Sequence, residues 1–198
     1  MVVSPLPLID WKAVFRKRAK AARRDAAARH PDAGKYAAAK FLEYFSPSPN
    51  STIALYHPHG DELDTRPLAK ALTEDGHIIV LPVVVAKDSP LIFRLWEMGS
   101  PLQVRTFGIP APGDDAPIRT PDIVVVPLLG VRRDGARLGM GGGFYDRTLN
   151  ALRAKGDVLA IGYGYSAQKM DRFPIGPHDE FLDGFVHEKG ADRFDRRR

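Results

Sequence analysis

The chain has 198 residues, 44% of them hydrophobic, which is enough for one sizeable core and ordinary for a globular protein. No apolar run approaches the roughly 18 residues a membrane-spanning helix needs, and the absence of cysteine removes disulfides, thiolate nucleophiles and cysteine zinc sites together. The formal charge of +5 is concentrated: residues 10–30 hold eight Lys/Arg against Asp10 and Asp25, leaving 21 basic and 22 acidic residues elsewhere, so the chain reads as a neutral body with one basic helix and a basic tail, "RFDRRR".

In chain order, "MVVSPLPLID" lacks a basic region before an apolar run and does not read as a secretory signal, although the Ala- and Arg-rich segment after it superficially resembles a transit peptide. A cytoplasmic location is expected. From Trp11 to about His30, the spacing of Trp11, Phe15, Ala19, Ala22 and Ala26 puts a narrow apolar stripe on a helix, with Lys12, Arg16 and Lys20 stacked at i, i+4 beside it. A second helix is predicted from about Lys35 to Phe45, ended by "SPSPN". "TIALY" reads as a strand, and "HPHGDELDT" as a loop reaching an N-cap at Asp64 or Thr65 before a helix that ends at Gly76. Further strands follow at "HIIVLPVVV", "LIFRLW", "DIVVVPLLG", "VLAIGY" and "GFVHE", with a helix from Phe144 to about Ala154. The Pro-rich stretch from Gly108 to Pro121 reads as a surface connection within one domain, 1–198, and the tail from about residue 190 as disordered. Strands apolar on both faces, alternating with helices, predict an α/β fold: three-layer α/β/α, a mostly parallel Rossmann-like sheet with helices on both faces.

In such sheets ligands bind beyond the carboxyl ends of the strands. There "DIVVVPLLG" runs out into "RLGMGGGFYDR", with four glycines in the five positions from Gly139 to Gly143 directly before a predicted helix. Bare backbone and a helix N-terminus suit a phosphate; the plainer alternative is a flexible surface turn. A Walker A loop is absent, and G-x-G-x-x-G fails because Phe144 stands at the third glycine position. "GYGYSA" satisfies the dinucleotide pattern on paper, but the 30 or so residues after it, interrupted by Pro174 and Pro177, leave no room for the βαβ unit. Asp146, one turn into the helix, suits Mg²⁺ beside phosphates, or simply complements the helix dipole. Asp179 offers a second carboxylate or a turn residue. Glu62 is an acid able to accept paired N–H donors from a heterocycle, or an exposed loop acid.

Taken together, "GDELDTRPL", "IIVLPVV", "FGIPAP", "DIVVVPLLGVRRDGARLGMGGGFYDRTL", "AIGYGYSAQ" and "PHDEFLDG" resemble, in order and spacing over about residues 12–188, the 5-formyltetrahydrofolate cyclo-ligase (5,10-methenyltetrahydrofolate synthetase) family. The resemblance implies ATP- and Mg²⁺-dependent cyclisation of 5-formyltetrahydrofolate, with or without a polyglutamate tail, to 5,10-methenyltetrahydrofolate, releasing ADP and phosphate through a phosphorylated formyl intermediate. It further implies ATP phosphate binding by Lys12 and Arg16, and a nucleotide loop made of Arg137, Leu138, Gly139, Met140, Gly141, Gly142, Gly143, Phe144 and Tyr145. Met140 to Phe144 would also border the folate, with His57 and Glu62 on the folate side and Glu62 on the pterin ring. Asp146 and Asp179 would be the Mg²⁺ carboxylates, and Lys12, Arg137 and Asp146 the catalytic residues. The remaining basic residues of the first helix are expected to form a solvated face. The chain departs from the family at Gly142, where many relatives have Lys, a charge that Arg137 or Arg147 could replace, and at Pro58, where relatives often have Ser. A monomer or weak homo-oligomer is expected, with no membrane and no nucleic-acid partner. Two rivals stay open at this point: an RNA- or polyanion-binding protein using the basic helix and tail, and a sugar-phosphate isomerase or acyl-carrier transferase on a similar fold without an ATP requirement. Trp96 is expected to pack in the core.

Overall fold

The computed structural model describes residues 10–105 and 108–195. Helices α1 (Trp11–Arg29) and α2 (Ala33–Phe45) precede β1 (Thr52–Ala54), α3 (Arg66–Glu74), β2 (Ile78–Val83), β3 (Ile92–Leu95), β4 (Gln103–Val104) and β5 (Pro110–Ala111). Then come β6 (Ile123–Val126), β7 (Gly130–Val131), β8 (Arg137–Leu138), α4 (Phe144–Arg153), β9 (Leu159–Tyr163), a 3₁₀ turn (Ser166–Gln168), β10 (Gly184–His187) and β11 (Gly190–Arg193).

Seven strands form one sheet in the order β11-β10-β9-β6-β1-β2-β3. The five from β10 to β2 are parallel, while β11 and β3 close the two edges antiparallel. The strands are apolar on both faces because both faces are covered. Ile53, Ile79, Leu81, Ile123, Val125 and Ile161 point to the layer containing Phe41 of α2 and Leu68 and Leu72 of α3. Their neighbours Ala54, Val80, Val124, Val126, Ala160 and Phe185 pack on the other side with Leu149 of α4. The period-2 alternation thus feeds two cores, giving the three layers expected. No described helix is long and apolar enough to cross a membrane.

Three differences from the expected course matter. The tail read as disordered from about residue 190 is, over Gly190–Arg193, an edge strand paired with β10; residues 196–198 lie outside the described ones. The stretch after β6 does not run straight into the glycine loop but folds as a hairpin, β7 against β8, turning at Asp134–Gly135 with Gly135 at φ +82°. The N-terminal stripe holds at Ala19 and Ala26, but Trp11 at its start is 57% exposed. Trp96 packs at the edge of the first core as expected, its indole N–H reaching the Ser100 carbonyl.

The connection from β1 runs one way to β2, while β6, β9 and β10 extend the other way, so the order reverses between β1 and β6. That reversal opens a crevice beyond the strand ends, the place where α/β sheets bind ligands.

Candidate functional site

A cavity of about 820 Å³ opens there, lined by Tyr56 and His57 just past β1, Pro82 and Val84 at the end of β2, and Pro127 and Leu128 just past β6. Every site residue named from the sequence lines it, from Lys12 and Arg16 on α1 through His57 and Glu62 to Arg137–Asp146 and Asp179.

One end is the glycine loop. Gly141 and Gly143 have φ of +106° and +67°, a region L side chains avoid, and Gly143 is the N-cap from which α4 starts. The loop is pinned from outside: Arg147 Nη2 donates to the Gly142 carbonyl at 2.8 Å and to the Lys87 carbonyl at 3.2 Å, and its guanidinium lies over Phe144. Arg147 is thus occupied with backbone. From inside, Arg16 Nε donates to the Gly139 carbonyl at 3.1 Å. The β7–β8 hairpin delivers Arg137, whose side chain is 3% exposed, to Asp146 Oδ1 at 2.5 Å and over the Tyr145 ring. Of the two residues proposed to replace a lysine at 142, Arg147 is held on backbone carbonyls and Arg137 is paired with Asp146.

The two carboxylates line the same cavity and are linked through the residue after Asp179. Asp146 Oδ1 also accepts the Glu180 amide at 3.2 Å, and Asp179 Oδ2 takes Lys12 Nζ at 2.6 Å and the Gly176 amide at 2.7 Å. Asp179 is a turn residue and a site carboxylate at once. Against the upward push of burial, Lys12, the Gly176 amide and Arg137 hold its carboxyl below the usual range. The segment is braced on α4 by Arg153, which bridges Glu180 at 2.6 Å and Asp183 at 3.0 Å. No group of three metal-ligating side chains occurs among the described residues. Two carboxylates on one cavity nevertheless fit Mg²⁺, an ion that takes one or two carboxylates and fills its other positions with phosphate and water.

The other end is built around Glu62, and here sequence reasoning missed a residue. Arg23, expected on the solvated face of α1, is buried: its side chain is 8% exposed, with Nη2 2.5 Å from Asp61 Oδ1 and Nη1 3.5 Å from Glu62 Oε1. The signal was its place on the Ala19–Ala26 side of the helix, masked by the run of basic neighbours. Glu62 Oε2 accepts the His59 amide at 3.0 Å. Burial pushes the Glu62 carboxyl up, opposed by the His59 amide and by Arg23. Tyr145 and Tyr56 stand close enough that Glu62 adds to the upward push of burial on their phenols.

"GYGYSA" has no phosphate-loop geometry. Gly162 lies inside β9, where a Cβ would come within 2.7 Å of Leu128 and Leu182; its glycine serves packing.

One chamber thus has a glycine loop flanked by cations at one end and a partly buried acid at the other. The 5-formyltetrahydrofolate cyclo-ligase family model matches residues 8–188. The 5-formyltetrahydrofolate cyclo-ligase of Escherichia coli strain K12 is 31% identical over 151 residues, spanning 74% of this chain and 82% of that protein. The enzyme of the same name from Mycolicibacterium smegmatis is 35% identical over 136 residues, spanning 65% and 69%. The solved structure of Aquifex aeolicus 5,10-methenyltetrahydrofolate synthetase superposes with a TM-score of 0.78 at 25% identity over 94% of both chains. That of the Mycoplasma pneumoniae synthetase gives 0.70 at 26% identity, over 91% of this chain and 99% of the other. With its strand order, its crevice and nearly its whole length matched in this way, the chain belongs to the 5-formyltetrahydrofolate cyclo-ligase family.

Proposed function

We propose that the cavity carries out the family's reaction by seating the triphosphate of ATP on the glycine loop and the pterin of the folate against Glu62. The chain is an ATP-dependent ligase that converts 5-formyltetrahydrofolate to 5,10-methenyltetrahydrofolate. The observation that carries the residue-level reading is that one chamber is bounded by both a glycine loop with three flanking cations and a carboxylate, Glu62, whose side chain is 16% exposed.

The chemistry explains the two ends. A formamide oxygen is a poor leaving group, so N10 cannot close the ring by expelling it. Transfer of the γ-phosphoryl group to the formyl oxygen, with ADP departing, makes that oxygen leave as phosphate. N10 then bonds to the formyl carbon and loses its proton, and the C–O bond breaks to give the methenyl bridge. Phosphoryl transfer relies on positioning and charge stabilisation, which suits a site with no protein nucleophile. Lys12 and Arg16 would bind the phosphates, exchanging Asp179 and the Gly139 carbonyl for phosphate oxygens. Arg137, held on Tyr145, would face the charge that develops on the transferring group. Asp146 and Asp179 are the residues that would hold Mg²⁺, which neutralises phosphate charge when bound. Glu62 would accept ring N–H donors of the pterin, and His57 and the loop from Met140 to Phe144 would border the folate.

A monomer or weak homo-oligomer is the proposed state. The cytoplasm is the proposed compartment. The three basic residues of α1 turned toward the cavity leave Lys17, Arg18, Lys20, Arg24 and Arg29 as its exposed cationic face; the helix's exposed aromatic, Trp11, precedes these charges rather than alternating with them as a stacking platform for single-stranded RNA would require.

The test is direct: purified protein, 5-formyltetrahydrofolate, Mg²⁺ and ATP, followed by the visible-edge absorbance of the methenyl product. Product only when ATP is present is expected. A folded protein that forms none, or forms it without ATP, contradicts the reading.

A further inference from the structure

Helix α1 carries Lys12, Arg16 and Arg23 at positions i, i+4 and i+11, which places all three on one face, with Arg23 about 16 Å along the axis from Lys12. The first two reach the glycine-loop end, as described. Arg23 reaches the opposite end, and its surroundings differ in kind. It is almost fully buried, whereas Lys12 keeps 27% of its side chain exposed. Its Nη2 is anchored on Asp61, and only Nη1 turns to Glu62. Its Nε is buried without a hydrogen-bond partner. A cation in such a place is costly to bury and difficult to replace once its carboxylates depend on it.

Glu62 has one oxygen on the His59 amide and the other on Arg23. One contact goes to each carboxylate oxygen, a hydrogen bond to Oε2 and an ion pair to Oε1, so together they orient the carboxylate within the cavity that Arg23, His59 and Glu62 all line, and each oxygen keeps a lone pair for a ligand. Asp61, the anchor, does not itself line the cavity.

We propose that Arg23 is a positioning residue for the reaction: fixed on Asp61, its guanidinium holds the Glu62 carboxylate as an oriented acceptor for a heterocycle with two adjacent N–H donors. This rests on the reading of Glu62 as the pterin acceptor. Asp61 is the second member of the device, a negative charge that keeps Arg23 from closing fully onto Glu62 and covering the acceptor it orients.

The groups facing Glu62 are Arg23 from α1, Asp61 and His59 from its own loop, Tyr56 from the end of β1 and Tyr145 from α4. Of these, Arg23 is the permanent cation. Its removal therefore sends the Glu62 titration further up, while a residue that merely packs would leave it in place.

The experiment compares Arg23→Gln, Arg23→Lys, Asp61→Asn and Glu62→Gln with the unaltered protein. It reads KM for 5-formyltetrahydrofolate and for ATP, kcat, and the Glu62 carboxyl titration by carbon-detected NMR. Arg23→Gln is expected to raise the folate KM about 10-fold or more, as expected for loss of a buried charged contact, with the ATP KM within about 2-fold. The Glu62 titration should move to higher pH. Arg23→Lys should restore part of the folate KM, and Asp61→Asn should give a smaller change in the same direction. If Arg23→Gln does not fold, Arg23→Lys and Asp61→Asn decide by the same readouts. A folded variant with an unmoved Glu62 titration, or with both KM values raised equally, overturns the proposal. An unchanged folate KM in Glu62→Gln overturns the pterin reading and the proposal together; a raised KM there with no effect in the Arg23 variants overturns the proposal alone.

Discussion

The two ends of the cavity hold charge in opposite ways. At the glycine-loop end, each cation has a partner that the proposed phosphate would replace: Lys12 sits on Asp179, Arg16 on a backbone carbonyl, and Arg137 on Asp146. These pairs are part-exposed on at least one side and cost little to exchange when phosphate and a divalent ion arrive with the complementary charges. At the Glu62 end, Arg23 is locked into the protein and the carboxylate is left short of compensation. In the proposed reading the first arrangement would bind by swapping ionic partners. The second would bind by accepting the N–H donors of a ligand at a partly buried acid. On that proposal a polyanion and a neutral heterocycle would be recognised in separate ways a few helical turns apart.

The strongest way to break this contrast is at Asp146. Asp146→Ala removes the partner of Arg137 and one proposed metal carboxylate together, and kcat is expected to fall by about 100-fold or more, with the folded state retained in thermal melts. Turnover within a few-fold of the unaltered protein would remove Asp146 from the chemistry.

Next in size is the backbone of the loop. Gly143→Ala puts a side chain at φ +67° and brings its Cβ to within 2.6 Å of Arg147 Nη1, so the Arg147 clamp must move. A loss of about 1–2 kcal/mol in denaturant unfolding is expected from the left-handed backbone, with a larger proportional rise in the ATP KM than in the folate KM. Gly162→Ala is the control in the core: crowding Leu128 and Leu182 is expected to cost about 1–3 kcal/mol of stability while the two KM values change together or not at all.

The smallest effect separates the ends by acidity. As pH falls, Glu62, raised by burial, takes its proton before the ordinary carboxylate range is reached, whereas Asp179, held down by Lys12 and the Gly176 amide against the opposing push of burial, takes its proton last. Asp179 consequently contributes stability that is present above the ordinary carboxylate pKa and is lost as pH falls through its own lowered value. Carbon-detected NMR titration of the two carboxyls should show this order. The reverse order would mean that the charge assignment of the two ends is wrong.

Much of this was legible in the sequence, for identifiable reasons. The central strands are long apolar runs and the glycine loop is a dense local signal, so both declare themselves without tertiary information. What stayed hidden needed three dimensions. The β7–β8 hairpin has strands of two residues each, too short for a period-2 pattern, and its one cue was the Asp134–Gly135 pair, a favoured hairpin turn. Strand β11 was lost under the charge of the tail, because an edge strand with Asp192 and Arg193 looks like linker until its partner β10 is known. Arg23 was hidden by its company: seven other basic residues surround it between positions 10 and 30, and only the position of Asp61 and Glu62 in space tells a buried guanidinium from a solvated one. The resemblance to a family also pointed to Arg137 and Arg147 as substitutes for a lysine at 142; the structure holds Arg147 on backbone carbonyls, while Arg137 pairs with Asp146 much as Lys12 pairs with Asp179.

The central claim is that one chamber has two chemically distinct ends, and it is tested most directly by measuring both KM values in Lys12→Ala and Glu62→Gln side by side. The account predicts a crossed pattern: Lys12→Ala raises the ATP KM about 10-fold or more with the folate KM nearly unchanged, and Glu62→Gln does the reverse. Parallel changes in both constants in both variants, with folding intact, would contradict it.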